Sequence, residues 1–360
     1  MNILMMSRIF AQSGVGSHIK DLSKQLVDMG HTVHLISSTN DWGNFCEQNG
    51  ISFNKAGFST RPVRMIKSLK FIYAYIKNNN IDVVHCHHRI CGFYMKLLSW
   101  IIKVPFVWSN HLDDIPHDFV HRKTTFYGNK VICVSTELKA FCINALKIPE
   151  KDIEVIIHGI RPSDYQKATE YVEKFKAKHG IGQEKIIGLF ARMAPMKDHS
   201  CLIKAIAKLP KEKLRKTKTV LFGGTSGEYV EQLKAQIEAC GLREHIIFEE
   251  FVTPSEALSL SDITVLPSLK EGFGIVSIES FLMRKPHIRT KTAGYEDLKE
   301  GCIGFDVGDY ETLSVELEQF VDGKDYSGLI ERASRLFEEK CTIESMTKRI
   351  LDVYTSACKQ

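Results

Sequence analysis

The 360 residues carry a formal net charge of +5, with 44% hydrophobic and 25% charged side chains. This is a globular profile long enough for two domains of ordinary size, and it excludes a disordered chain. A membrane span needs roughly 18–20 unbroken apolar residues, and the apolar run Leu97–Ile102 is short and bounded by Lys96 and Lys103.

The first strand is expected at Asn2–Ser7, and the turn Ser13-Gly14-Val15-Gly16-Ser17 follows it. A helix over His18–Met29 shows apolar spacing through Ile19, Leu22, Leu26 and Met29, and Gly30 stops it. With a strand at Thr32–Ile36 this makes a βαβ unit. The alternation continues with a helix near Val63–Lys77, a strand at Asp82–His85, a helix near Cys91–Ile102, and strands at Phe106–Ser109, Lys130–Val134 and Val155–Ile157. Further strands are expected at Lys185–Phe190, Thr219–Gly223, Ile246–Glu249 and Ile263–Pro267, with helices between them. The polar stretch Arg161–Gly182 has no strand pattern and reads as the linker. The fold class is therefore α/β, with two doubly wound parallel-sheet, Rossmann-like domains, 1–160 and 161–342, whose ligands bind in the cleft that they face.

The N-terminus has no basic n-region and no small-residue cleavage site, and the ten cysteines form no C-x-x-C pair. Both features predict a cytoplasmic protein with reduced thiols and no signal peptide. Charge is uneven. Between Gln48 and Leu112 the one acidic residue is Asp82, against Lys55, Arg61, Arg64, Lys67, Lys70, Lys77, Arg89, Lys96 and Lys103. Such a field suits an anionic partner, and a solvated lysine-rich face is the alternative.

Three segments carry chemistry. The amides of Gly14 and Gly16 could hold a phosphate at a helix N-terminus. The match to G-x-G-x-x-G is partial, since Ile19 stands at the third small position, and a tight βα turn explains it equally. Arg192 and Lys197, after the strand Lys185–Phe190, suit a diphosphate leaving group, or else form a surface salt-bridge pair. The run Pro267–Glu279 joins a buried strand to a helix through Gly272 and Gly274. It places Glu271 in the loop and Glu279 about one turn into the helix. The helix dipole and the amides of Gly274–Val276 favour an anion, while the two carboxylates can accept bonds from polyols.

Together these pieces resemble the retaining glycosyltransferases of the GT-B fold, glycosyltransferase family 4 or group 1, of the bacterial surface-polysaccharide type. The Glu271/Glu279 spacing and the Arg192/Lys197 pair are the best markers. Asp82–His87, Asn110-His111 and Asp262–Ser268 are similar to further family segments. The resemblance implies a donor-binding C-terminal domain and an acceptor-binding N-terminal domain, with a C-terminal helix of about 343–360 packing back on the latter. It implies that Gly14 offers its amide near the donor phosphates and that Arg192 and Lys197 bind the diphosphate. Glu271, with Phe273 and Gly274, would bind the sugar, Ile275 and Val276 the phosphate, and Glu279 the ribose. His111 would sit beside the transferring sugar, completing a catalytic set with Arg192, Lys197 and Glu271. The reaction implied moves a hexosyl or N-acetylhexosaminyl group from a nucleotide diphosphate sugar, taken as a UDP-sugar, to a glycan or lipid-linked acceptor.

The sequence departs from the family at Ser13, His158, Arg161 and Lys285. His85, His87, His88 and His111 raise the question of a metal, but neither a carboxylate nor a cysteine completes a ligand set, and D-x-D is missing. No metal cofactor and no nucleic-acid partner are expected. A dinucleotide oxidoreductase would need an acid after the second strand, which ends His34-Leu35-Ile36-Ser37-Ser38-Thr39. A sugar-nucleotide epimerase of the same architecture and a non-catalytic binding protein are the other readings. Finally, Arg61–Lys77 reads as a basic amphipathic helix. Its stripe of Met65, Ile66, Leu69, Ile72, Tyr73 and Ile76 would face the sheet, and its cations would face water or the anionic inner surface of the cell membrane.

Overall fold

The computed structural model describes residues 1–116 and 118–359. The chain divides into two compact units, one of Met1–Gly159 with the segment from Thr342 onward, the other of Ile160–Cys341. In the first, β1 (Asn2–Ser7), β2 (Thr32–Ser37), β3 (Ser52–Lys55), β4 (Val83–Cys86), β5 (Phe106–Asn110), β6 (Lys130–Cys133) and β7 (Ile153–Val155) form one sheet in the order β3-β2-β1-β4-β5-β6-β7. In the second, β8 (Lys185–Phe190), β9 (Thr217–Phe222), β10 (Ile246–Glu249), β11 (Ile263–Leu266), β12 (His287–Thr290) and β13 (Ile303–Phe305) run in the order β10-β9-β8-β11-β12-β13. Every strand pairing among the described residues is parallel, as Ile3 opposite both Val33 and Val83 shows in one sheet and Ile187 opposite both Thr219 and Ile263 in the other. Central strands covered by helices on both faces read as unbroken apolar runs, and Ile3–Met6 are fully buried.

Both sheets reverse their strand order at the first strand of the unit: β1 lies between β2 and β4, and β8 between β9 and β11. At such a point the connecting helices leave to opposite faces and open a crevice beyond the carboxyl ends of the strands. The loops after β1, β4, β8 and β11 border these crevices.

Three strands escape the apolar pattern. β3 is a short edge strand with polar alternation. β13 has three residues. β12 reads His287-Ile-Arg-Thr290, where a histidine and an arginine, both fully buried, disguise a central strand. The stretch Arg161–Gly182, read as a linker, instead carries the helix Thr169–His179, because Phe175 and Ile181 pack with Ile186, Val220 and Phe222 into the second unit. The basic helix spans Pro62–Asn78 but buries only Ile72 and Ile76. Val63 is 83% exposed and Ile66 51%, so the expected stripe meets the core only in its C-terminal half.

The C-terminal helix Ile343–Cys358 packs into the first unit through Met346, Ile350, Val353 and Tyr354. The Tyr354 hydroxyl lies 2.6 Å from Nδ1 of His85 on β4, whose Nε2 lies 2.7 Å from the Ser109 hydroxyl on β5. All three side chains are buried, so the imidazole is fully satisfied only while that helix is docked. A buried polar atom left without its partner costs about 1–3 kcal/mol. Tyr354→Phe is therefore expected to lower stability by about that amount, seen as a lower urea midpoint; an unchanged midpoint would show that His85 is satisfied otherwise.

Candidate active site

In the second unit the loops after neighbouring strands β8 and β11 meet at the switch point, where the Leu269 amide donates to the Met196 carbonyl at 2.9 Å. This brings Lys197 to Glu271, with Nζ 2.6 Å from Oε1. Lys197 ends a single turn of 3-10 helix over Pro195–Lys197, and Asp198, in a left-handed conformation at φ 46°, starts the next helix and accepts from the Cys201 amide. The lysine partner is thus a buried loop carboxylate, not a surface acid. Arg192, in the same loop, is exposed and makes no ion pair among the described residues.

Glu271 is 8% exposed. The Ser268 hydroxyl also donates to Oε1, at 2.6 Å. Both contacts fall on one oxygen, and among the described residues Oε2 takes no hydrogen bond. The carboxylate is therefore held rigidly and keeps one acceptor oxygen uncommitted.

Gly274 caps the helix Ile275–Leu282 at φ 83°, without a side-chain cap. A Cβ there would stand 3.2 Å from the Arg289 guanidinium and 3.0 Å from Leu266. The amides of Ile275 and Val276 open this helix, where the dipole favours an anion. Glu279, one turn on and 6% exposed, accepts from the Tyr165 hydroxyl at 2.7 Å. Sequence reasoning missed Arg289. Its guanidinium is wholly buried and donates to the Phe273 carbonyl at 2.8 Å, the Ala293 carbonyl at 2.9 Å and the Ser277 hydroxyl at 3.1 Å. It fastens the Glu271–Gly274 loop to the helix behind it. An arginine between Ile288 and Thr290 carries no signal for that role.

In the first unit the helix Gly14–Asp28 begins one residue after Ser13, whose hydroxyl accepts from the Gly16 amide at 3.2 Å. That donor is committed, so of the two glycines only Gly14 stays in the phosphate reading. A Cβ on Gly16 would meet the Ala11 carbonyl oxygen at 1.8 Å, which explains the glycine sterically.

His111 follows β5, and its Nε2 lies 3.3 Å from Nδ1 of His87, which follows β4. His18 joins them from the first helix, and its Nδ1 lies 2.9 Å from Nδ1 of His158. The sequence reading grouped His85 and His88 with this cluster and missed His18 and His158. The missed pair stands 140 positions apart, and only the folded chain brings them together; the one local signal is that His18 shares the buried helix face with Ile19 and Leu22. His85 serves the C-terminal helix, and His88 faces the Ser7 hydroxyl at 3.1 Å. Nitrogens of His18, His87 and His111 lie within 4.8 Å of one another and are the set that could receive a metal. Among the described residues neither an acid nor a cysteine completes it. A cavity of about 1320 Å³ in the same unit is lined by His87 and His111, and by Arg61, Arg64 and Lys67 of the basic helix.

Residues 172–336 match the family Glycosyl transferases group 1, and residues 12–164 match Glycosyltransferase Family 4. The chain belongs to the group 1, family 4 glycosyltransferases. This glycosyltransferase is 27% identical to an uncharacterised glycosyltransferase of Methanocaldococcus jannaschii, over 79% of its own length and 78% of the relative's. It is 25% identical to the N-acetyl-alpha-D-glucosaminyl L-malate synthase of Bacillus anthracis, over 93% and 91%. Its fold matches that of Anabaena HepE, solved with UDP, at a TM-score of 0.86 and 18% identity, over 99% of this chain and 100% of that one. The two parallel-sheet units are thus those of a GT-B fold.

Burial sets the charge state of the histidine cluster. It pushes His18 down to about 4 and holds His87, His111 and His158 well below the usual imidazole range, with the neighbouring imidazoles adding to the effect. Unfolded, each would titrate near 6.5. The folded glycosyltransferase therefore binds fewer protons than the unfolded chain below about pH 6.5. This contribution to stability is complete above that pH and is lost as pH falls toward about 4. The urea midpoint is expected to drop between pH 7 and 5, and to drop less in His158→Asn. Equal pH slopes for the two proteins would show that His158 takes no part.

Proposed function

We propose that this glycosyltransferase moves a hexosyl or N-acetylhexosaminyl group from a UDP-sugar to a glycan or lipid-linked acceptor, with retention of configuration, in surface polysaccharide or glycoconjugate synthesis. The observation that carries this reading is the join of Lys197 to Glu271 at the β8/β11 crevice, a cation for phosphate beside a carboxylate for hydroxyls. HepE was solved with UDP, with UDP and glucose, and with UDP-glucose, which supports a uridine diphosphate donor. The relative from Bacillus anthracis supports an N-acetylhexosaminyl group among the sugars considered.

In this reading Arg192 and Lys197 bind the diphosphate, aided by the Ile275 and Val276 amides and by Gly14. Glu271 accepts from a sugar hydroxyl at Oε2, Phe273 and Gly274 line the sugar, and Glu279 holds the ribose. The acceptor oxygen attacks the anomeric carbon on the face from which the phosphate leaves. The C–O bond to the diphosphate breaks as the new one forms, and the acceptor proton passes to the departing phosphate oxygen. His111 lies beside the transferring sugar. Charge grows on the leaving group, so fixed cations stabilise the transition state more than the ground state. These two cations and the helix dipole do this without a metal cofactor.

We further place the protein in the cytoplasm, with peripheral attachment to the inner face of the membrane. Among the described residues no helix is long and apolar enough to cross a membrane. The exposed Val63 and Ile66, with Lys70 on the same helix, offer an interfacial contact.

Removing one preorganised donor to a developing anion typically costs about 10²–10³ in turnover. Arg192→Ala and Lys197→Ala are each expected to lose that much while staying folded, and near-normal turnover in both would refute the leaving-group assignment. Proton NMR of the product made from an α-linked donor, with excess chelator present, is expected to show an α-linkage. A β-linkage would overturn retention, activity restored only by magnesium or manganese would overturn the metal-independent reading, and release of an epimerised sugar from donor alone would favour the epimerase.

A further inference from the structure

We propose that the acceptor is anionic, bearing a phosphate ester or a diphosphate, and that the first unit's cavity holds that anion through Arg8, Arg61, Arg64, Lys67 and Arg89. The inference rests on the reading that the acceptor occupies this unit, and it adds the chemistry by which the acceptor is recognised.

The cavity walls carry six fixed cations, these five and Lys55, against one acid, Asp114. Among the described residues none of the six forms an ion pair. Lysines elsewhere commonly do, as Lys197, Lys234 and Lys324 show. Like charges gathered on one concave wall repel each other and gain nothing for the fold. A concave wall of one sign also concentrates the field on whatever enters it. The arginines present planar forks that match phosphate oxygens two at a time, which ammonium groups do not. Arg89 is already oriented, with Nη1 donating to the Thr124 hydroxyl at 3.2 Å. The helix carrying Arg64 and Lys67 starts at Pro62 without a side-chain cap, so its positive end adds to the same field.

The histidines of the wall do not supply this charge. His88 is pushed down to about 4, chiefly by burial and then by the Arg8 charge, and His87 and His111 are likewise neutral. The cavity is thus cationic through its arginines and lysines while His87 and His111 present uncharged rings to the same space. It is larger than the roughly 300–1,000 Å³ typical of small-ligand pockets, with room for a sugar beside the anion. Phe58, Phe71 and Phe93 supply apolar wall. The three helix cations that a sequence reading directs to a membrane surface therefore line a chamber, and the anion they meet belongs to a bound molecule.

The test is calorimetric titration of inorganic pyrophosphate into full-length protein whose donor site is saturated with UDP. One further site is expected, weakened about tenfold or more in Arg64→Gln/Lys67→Gln. Both cavity residues are exposed, so the double variant is expected to keep the wild-type melting temperature. Lys67→Arg, which keeps the charge, is expected to bind as the wild type does. No second site, or one indifferent to Arg64→Gln/Lys67→Gln, overturns the proposal. UDP binding measured alone in Arg192→Ala tests the donor assignment separately, so the two can fail independently. Two further arms identify the source of the phosphate. Binding of inositol monophosphate that requires Arg64 and Lys67 assigns a soluble acceptor. Binding to neutral vesicles doped with a polyprenyl diphosphate, with the same requirement, assigns a lipid-linked one. Equal binding to vesicles carrying phosphatidylglycerol at matched charge overturns the proposal in favour of plain membrane adsorption.

Discussion

A parallel sheet whose strand order reverses cannot cover its own carboxyl edge, and both units of this chain are built around that constraint. The helices leaving β1 and β4, or β8 and β11, depart to opposite faces, so the loops between them border an uncovered crevice. Residues far apart in sequence are delivered there by strand adjacency alone. Lys197 and Glu271 are 74 positions apart yet in hydrogen-bond contact. His18 and His158, at 140 apart, also meet, although β4, β5 and β6 separate β1 from β7.

What fills the two crevices differs in its electrostatics. In the second unit the buried charges are compensated before a ligand arrives. Lys197 faces Glu271, and the buried Arg289 spends its donors on the carbonyls of Phe273, Thr290 and Ala293 and on the Ser277 hydroxyl. A buried charge needs such partners, because desolvation otherwise costs several kcal/mol. The result is stiffness, with the loop that carries Glu271 held from beneath by Arg289 and from the side by Lys197 and Ser268. In the first unit the buried groups avoid charge altogether, since crowded imidazoles remain neutral, and the cations stay at the exposed wall where water screens them.

The same physics decides how much could be read from the sequence. β1 and β8 were legible because covered parallel strands are unbroken apolar runs, and β11 because its run is bounded by Ser261-Asp262 and Pro267-Ser268. β12 was not, because Arg289 and His287 occupy strand positions whose burial only the loop carbonyls and the Ser277 and Thr264 hydroxyls make tolerable. Lys197 and Glu271 were legible as separate residues in loops after strands, but their contact was not, since it depends on β8 lying beside β11. The amphipathic spacing of Pro62–Asn78 was correct as periodicity and wrong as burial. Helical spacing says which side chains share a face and not how far the supporting sheet extends beneath them.

The Lys197–Glu271 pair also bears on why a ligand would be accepted there. In the free protein the lysine charge is shared with a carboxylate that has a serine hydroxyl as a second donor, so Glu271 keeps a partner if Lys197 turns toward a phosphate. Arg192 needs no such exchange, as it forms no ion pair among the described residues. A diphosphate arriving beside these groups would therefore meet one cation already free and a second released at modest cost. The carboxylate, meanwhile, stays fixed by Ser268 with Oε2 available to a sugar hydroxyl. A salt bridge with one replaceable partner on each side holds the site in shape without blocking it, which a tighter and fully enclosed pair could not do.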